Sequence, residues 1–142
     1  MRHAIKTEIN INATPQKVWE VFTAFDQYPD WNPFIKSLEG DVKVGNTIKA
    51  ILQDMTFKPV VLNYTKGKEF RWKGKLFFKG LFDGEHYFQL LANEDGSTRF
   101  IHGEDFGGML VRLFKKKLST DTKMGFEEMN KALKGRVEAG YG

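Results

Sequence analysis

The sequence has 142 residues, of which 41% are hydrophobic and 14% aromatic, and it contains no cysteine. This composition predicts a single domain spanning residues 1–142 and excludes intrinsic disorder, disulfide bonds and thiolate metal sites. The formal net charge is +4, but apart from the lysines at 115–117 the basic residues are scattered, which argues against a nucleic-acid partner. No apolar run approaches the roughly 20 residues of a membrane span and the N-terminus has no apolar leader, so we expect a cytoplasmic protein without membrane insertion, monomeric or homodimeric.

The first predicted elements are a strand and a short helix. Residues 3–12 alternate between apolar and polar side chains, which predicts a half-buried strand. Its buried face carries Ile5, Thr7, Ile9 and Ile11. Thr14 is suited to cap a helix that begins at Pro15, because proline at the first helical position loses no hydrogen bond. Pro29 and Pro33 then limit any second helix to one or two turns.

Six further strands and one long helix follow. Alternating patterns separated by turn residues predict strands over about residues 35–39, 47–53, 58–65, 69–78, 85–93 and 98–106. Apolar residues at three- and four-residue steps predict one helix over residues 110–139, with Phe126, Met129 and Leu133 facing the sheet. Gly125 in this helix costs about 1 kcal/mol relative to alanine, so either the helix bends there or the missing side chain makes room for another group.

This order of elements resembles the START-like (SRPBCC, helix-grip, birch-pollen-allergen-like) superfamily, and in particular its bacterial polyketide cyclase/dehydrase-type branch. The motifs that carry the resemblance are residues 13–19, the turn at 31–34, residues 84–88, residues 98–106 and the closing helix. The resemblance implies an α+β helix-grip fold, in which a curved antiparallel sheet of about seven strands wraps around the C-terminal helix and leaves a hollow. It also implies a small hydrophobic ligand or, as in some relatives, catalysis of aldol-type cyclisation or dehydration.

The hairpin between the last two strands decides which side chains share a face. A two-residue loop at its tip would oppose His86 to Asp105. A three-residue loop at residues 94–96 opposes His86 to Glu104 instead. Only this second register gathers the phenylalanines of both strands on one face, and burial of that face therefore favours it.

The favoured register places His86, His102 and Glu104 together in an otherwise apolar wall. Directly opposed side chains have Cβ atoms roughly 4.5–5.5 Å apart, so His86 and Glu104 can form a hydrogen bond. We predict that the pair anchors a ligand or acts as a general acid and base, with His86 moving the proton and Glu104 orienting it. Two alternatives remain: a structural pair that holds the register, and a metal site of two histidines and one carboxylate, for which nothing else in the chain argues.

The predicted ligand-binding residues are mainly aromatic and apolar. They are Trp31, Trp72, Leu76, Phe82, Phe88, His102, Phe106, Phe126 and Met129. Trp31 lies at the pocket mouth or plugs the open end of the sheet, while Leu81 and Phe82 form a gate or enter the core. No nucleotide-binding or nucleophile motif is present, and we expect no cofactor and no metal. Ligand binding is the favoured function, with a polyketide cyclase-type enzyme and a chaperone-like interaction module as alternatives.

Overall fold

Two antiparallel sheets and a C-terminal helix form the core of the computed structural model, which describes residues 2–53, 55–76, 82–108, 111, 116 and 118–140. In chain order, the first elements are β1 (Arg2–Ile11), α1 (Pro15–Phe22), a 3₁₀ turn (Phe25–Gln27) and α2 (Tyr28–Trp31). The next strands are β2 (Ile35–Glu39), β3 (Lys49–Leu52), β4 (Met55–Phe57), β5 (Val60–Thr65), β6 (Glu69–Leu76), β7 (Phe82–Ala92) and β8 (Thr98–Gly107). A π-helical turn (Leu118–Thr122) and α3 (Lys123–Glu138) complete them. The predicted α+β class, with two short helices after the first strand, is confirmed.

The strands form a five-stranded sheet in the order β1-β8-β7-β6-β5 and a three-stranded sheet in the order β2-β3-β4. The prediction of about seven strands lacks β4, which pairs with β3 through a turn at Gln53. Gln53 has a φ of 55°, a backbone conformation that usually attracts glycine. Because neither glycine nor proline marks this turn and β4 is only three residues long, the sequence pattern there is too weak to reveal a strand.

The first helix begins as predicted. The Oγ1 of Thr14 accepts a hydrogen bond of 3.3 Å from the backbone N–H of Lys17, and Pro15 occupies the first helical position. A cap of this kind stabilises a helix by about 1 kcal/mol. The side of this helix that faces the sheet buries Trp19 and Phe22.

The C-terminal helix differs from the prediction in its first part. The regular helix α3 begins at Lys123, and a wider π-helical turn precedes it. Val111 and Lys116 are also helical, whereas residues 109–110, 112–115 and 117 of the predicted helix lie outside the described residues. Phe126, Met129 and Leu133 are fully buried, as predicted. Within the described part of the chain, no helix has the length and apolar character needed to cross a bilayer.

Gly125 makes room for a neighbouring ring. It lies inside the regular part of α3, and a β-carbon there would come within 2.9 Å of Cδ1 of Phe34. That separation is shorter than carbon atoms tolerate, so a larger residue at 125 would displace Phe34. Of the two predicted roles for this glycine, close packing is the correct one.

Aromatic rings fill the space between α1 and the five-stranded sheet. Phe22 packs against Phe70, Phe88 and Phe100 with ring centroids 4.9–6.3 Å apart. All four side chains are fully buried. The α3 helix covers the neighbouring part of the sheet, mainly through contacts with β1 and also with β8. Because aromatic rings occupy the part of the sheet's inner face next to α1, the polar residues of that face lie beneath α3.

Candidate functional site

The hairpin of β7 and β8 has the register that burial predicts. His86 pairs with Glu104 and Phe88 with His102. At the tip, the backbone N–H of Asn93 donates to the carbonyl of Ser97 at 2.9 Å, and Gly96 has a φ of 89°. The three-residue loop is therefore confirmed, and it places both histidines and Glu104 on the inner face of the sheet.

A chain of polar side chains runs across this inner face. Oε1 of Glu104 lies 3.0 Å from Nδ1 of His86, and Nε2 of His86 lies 2.7 Å from Nε2 of His102. Nδ1 of His102 lies 3.0 Å from Oδ1 of Asn130 on α3. The Asn130 amide donates to Oγ1 of Thr7 at 2.8 Å, and that hydroxyl donates to the backbone carbonyl of His102 at 2.7 Å. Three elements, β1, the β7–β8 hairpin and α3, thus meet in one hydrogen-bonded chain.

Burial decides the charges along this chain. Both histidine side chains are fully buried, and burial lowers the pKa of His86 to about 3. Burial, followed by the charge of His86, also lowers the pKa of His102 well below its usual value, although hydrogen bonds to Asn130 and to the Phe126 backbone act in the opposite direction. Burial, with the charge of Asp105 adding to it, raises the pKa of Glu104 to about 8. At neutral pH all three groups are therefore mainly uncharged.

The contact between Glu104 and His86 is close but not aligned as a hydrogen bond. Although the two atoms are 3.0 Å apart, Nδ1 of His86 has no hydrogen-bond partner of good geometry among the described residues. Because the pKa shifts leave the ring and the carboxyl neutral, we treat the contact as a neutral pair and not as a salt bridge.

Glu104 is the end of the chain that reaches solvent. About 14% of its side chain is exposed, whereas His86 has no exposed surface. A β-carbon at position 84 would overlap Oε2 of the carboxyl, so Gly84 provides the space that the carboxyl occupies. Phe106, two residues further along β8, is buried on the same face near the end of the strand. The carboxyl therefore lies toward the end of the sheet where β7 begins and β8 ends.

Aromatic rings surround the histidines. The ring of His86 has centroid distances of 4.9 Å to Trp72, 4.8 Å to Phe88 and 4.9 Å to Phe126. His102 stacks on Phe126 at 4.1 Å with an interplanar angle of 11°. This low-polarity wall explains why burial outweighs every other influence on the histidine pKa values.

The other predicted ligand-binding residues are distributed more widely. Met129 is fully buried in the core beneath α3. Trp31 is half-buried in α2 with its ring against Tyr28, and its Nε1 is buried without a hydrogen-bond partner among the described residues. Leu76 and Phe82 pair at the ends of β6 and β7, but their side chains, like the whole of Leu81, lie outside the described residues. The predicted gate therefore stays a prediction.

Three further residues belong to this site and were not predicted as its members, namely Thr7, Phe34 and Asn130. Asn130 follows Phe126 by four residues and precedes Leu133 by three, so it is a polar residue on a buried helical stripe, and that position was a usable signal. Thr7 was assigned to the buried face of β1, but its partner could not be deduced. Phe34 lies 6.0 Å from both histidine rings and 5.2 Å from Phe126. No local pattern connects a turn before β2 with rings on β7, β8 and α3.

The metal-site alternative does not fit this geometry. The Nε2 atoms of the two histidines face each other at 2.7 Å, which is a hydrogen-bonding distance and leaves no space for an ion between them. Among the described residues, no group of three histidine, cysteine, aspartate or glutamate side chains is arranged to hold a metal.

The element order and the sheet topology, with a C-terminal helix packed on the sheet, are those of an α+β protein and are consistent with the helix-grip fold. The chain belongs to the polyketide cyclase/dehydrase and lipid transport family, whose model matches residues 2–140. The resemblance to this branch of the START-like superfamily is thereby confirmed. No curated protein matches the chain in sequence.

Solved structures with the same fold have low sequence identity to this chain. A START superfamily protein from Mycobacterium smegmatis has a TM-score of 0.70 and 22% identity, with 96% of this chain and 98% of that chain covered. The Zhui aromatase/cyclase from Streptomyces sp. R1128 has a TM-score of 0.77 and 13% identity, with complete coverage of both chains (100%). A norcoclaurine synthase from Thalictrum flavum has a TM-score of 0.74 and 13% identity, covering 98% and 96%. At these identities the likeness establishes the fold alone.

Proposed function

We propose that the protein binds a small, mostly apolar molecule on the inner face of the sheet, with the neutral carboxyl of Glu104 as the polar anchor. The observation that carries this proposal is a partly exposed carboxyl with a pKa of about 8 at the edge of a wall of buried aromatic rings. A ligand site of this type is mainly apolar and has a few polar groups that set orientation. The family's association with polyketide cyclases and lipid transport supports the same class of ligand.

A neutral carboxyl suits such a ligand better than a carboxylate does. It donates one hydrogen bond and accepts others, so it can hold a ligand carbonyl or hydroxyl. Removing a neutral group from water also costs far less free energy than removing a charge. Phe106, which follows Glu104 on the same face, supplies apolar surface beside the anchor.

The test is the pH dependence of binding of an apolar dye, Nile red. The wild-type protein should enhance the dye's fluorescence at pH 6 and bind it about tenfold more weakly at pH 9, because only the protonated carboxyl accepts an apolar neighbour. The Glu104→Gln variant keeps the shape and stays neutral, so its affinity should be equal at the two pH values. Glu8→Gln, which replaces a half-exposed carboxylate on β1, is the matched control and should behave as the wild type does.

Two results would contradict the proposal. If the native protein gives no enhancement, the apolar site is filled by the protein's own side chains. If the enhancement is the same at both pH values in the wild type, the dye binds away from Glu104. Native mass spectrometry of the purified protein would in addition show whether a small molecule remains bound.

Acid catalysis is a second candidate, which the pKa of Glu104 favours. A carboxyl with a pKa of about 8 is protonated at neutral pH and can give its proton to a carbonyl or to a leaving hydroxyl, as a general acid does. In an assay with a β-keto thioester, a catalytic Glu104 predicts a rate that falls above pH 8 and that is lost in Glu104→Gln. If Glu104→Gln binds the substrate and turns it over at the wild-type rate, Glu104 is an anchor only.

A further inference from the structure

We infer that Thr7 and Asn130 are positioning residues of this site, which fix the direction of every hydrogen bond in the buried chain and so favour the protonated carboxyl of Glu104 at its open end. The inference deepens the proposed function, because it explains how the same carboxyl is held ready for a ligand. Neither residue touches the ligand position, and both act through the two histidines.

Thr7 sets the direction at the closed end. Its hydroxyl lies 2.7 Å from the backbone carbonyl of His102, and since a carbonyl cannot donate, the single hydroxyl hydrogen must point to it. Oγ1 of Thr7 can then only accept from the side chain of Asn130, 2.8 Å away, which requires the NH₂ group of the amide on that side. The oxygen of the Asn130 amide must consequently face Nδ1 of His102, as it does at 3.0 Å.

The direction passes from Asn130 through both histidine rings. Since the amide oxygen accepts, Nδ1 of His102 carries a hydrogen, and in the neutral ring Nε2 carries none. His86 faces that bare nitrogen at 2.7 Å, so its own Nε2 carries the hydrogen and its Nδ1 is bare. The two neighbouring histidines therefore have opposite tautomers, and the bare Nδ1 of His86 lies 3.0 Å from Glu104.

A carboxylate at position 104 would oppose this arrangement. Its oxygen would face the lone pair of His86 Nδ1, whereas a protonated carboxyl can donate to it. To stabilise a carboxylate with neutral rings, both histidines would have to change tautomer, the Asn130 amide would have to turn over, and Thr7 would have to release the His102 carbonyl. Burial shifts the pKa values of Glu104, His86 and His102 so that all three groups are neutral, which agrees with a chain of uncharged hydrogen-bonding groups.

Few other ionisable groups face Glu104 from the described residues. His3 is on the same face of β1, paired with Phe106, and its Nε2 contacts Oγ of Ser119 at 3.2 Å. Asp105 follows Glu104 along β8 and, by the alternation of the strand, projects to the other face. On α3, the residue that contributes to the chain is the uncharged Asn130. The direction of the chain is thus set by hydrogen bonds and not by a facing charge.

The first test is the tautomeric state of the ligand-free wild-type protein, read from the ring ¹⁵N chemical shifts. His86 should be protonated at Nε2 and bare at Nδ1, and His102 should show the reverse. Two rings with the same tautomer, or a charged ring at pH 7, would overturn the inference. Since this measurement needs neither a ligand nor a substitution, it stands separately from the dye-binding test of the proposed function.

The second test compares Thr7→Val with Thr7→Ser. Valine keeps the shape of threonine and removes the hydroxyl, so the Asn130 amide is free to turn and the Glu104 pKa should fall by about one unit, a tenfold change in the ionisation constant. Serine restores the hydroxyl and should restore the wild-type pKa, followed by ¹³C NMR of the carboxyl. A spectrum of wild-type dispersion for Thr7→Val shows that it is folded. A Glu104 pKa that is the same in all three folded proteins would overturn the positioning role, even if the dye binds.

Discussion

The five-stranded sheet carries two clusters of ionisable groups on opposite faces, the outer one on β6 and β7 and the inner one on β7 and β8, and the two clusters behave oppositely. On the outer face, Arg71 contacts Glu69 at 3.3 Å and Glu85 at 2.9 Å, with all three side chains partly exposed. Burial alone would raise the pKa of Glu69, but hydrogen bonds from Arg71, Gln89 and Asn63 outweigh it and lower that pKa. On the inner face, the pKa of Glu104 rises to about 8.

The difference between the two glutamates lies in what surrounds each carboxyl. Glu69 has a cation and two amide donors, so its carboxylate is well solvated by the protein. Glu104 has a neutral imidazole with a bare nitrogen, aromatic rings and no cation among its described neighbours. A carboxyl in a sheet is therefore charged or neutral according to the donors on its own face, although the two faces are one strand's thickness apart.

The largest expected effect comes from removing the ring that covers the inner cluster. Phe126→Ala deletes a fully buried side chain that stacks on His102, and we expect the free energy of unfolding to fall by about 3–5 kcal/mol. Met124→Ala on the same helix is the control, because Met124 is 57% exposed and its truncation should change the stability by less than about 0.5 kcal/mol. Urea denaturation of both variants measures the difference. Equal losses would mean that α3 does not cover the polar chain.

The next effect is a maximum of stability near pH 6.5. The folded-state pKa of His86, about 3, is below its ordinary value of 6.5. Its contribution to the free energy of unfolding is therefore complete above pH 6.5 and is lost on acidification. The lowered pKa of His102 acts in the same direction. The folded-state pKa of Glu104 is above its ordinary value of 4.5, so the folded protein is destabilised as the pH rises toward 8. Each group contributes a slope of up to about 1.4 kcal/mol per pH unit.

Between pH 6.5 and pH 8 this slope comes from Glu104 alone. Over that interval the free energy of unfolding should fall by about 2 kcal/mol. The measurement is urea denaturation at a series of pH values. In Glu104→Gln the decline above pH 6.5 should disappear, while in the control Glu8→Gln it should remain. A decline of the same size in Glu104→Gln would assign it to a different group and would remove the contrast between the two faces.

The smallest effect is expected on the outer face. Arg71→Met keeps much of the apolar stem and removes the charge, and because the ion pairs are partly exposed the free energy of unfolding should fall by about 1 kcal/mol or less. The decline of stability between pH 6.5 and pH 8 should be unchanged, since Arg71 lies on the face opposite Glu104. A steeper or shallower decline in Arg71→Met would show that the two clusters are coupled through the sheet.

Much of the inner cluster could be predicted from local pattern. Burial of one face selected the register of the β7–β8 hairpin, and that register alone brought His86 opposite Glu104. The cap at Thr14 and the buried stripe of α3 were predicted for the same reason, namely that each depends on residues close together in the chain. The short strand β4 escaped prediction because neither glycine nor proline marks its turn at Gln53 and the strand is only three residues long.

Alternation and helical spacing record which side chains avoid water, and from them the fold class, the strand faces and the pairing of His86 with Glu104 could be derived. They do not record which distant residues meet. Thr7 and Asn130 are 123 positions apart, and they form their hydrogen bond only because α3 packs against β1. The protonation of Glu104 depends on the same packing, because desolvation and the direction of the hydrogen bonds exist only when helix and sheet enclose the two histidines.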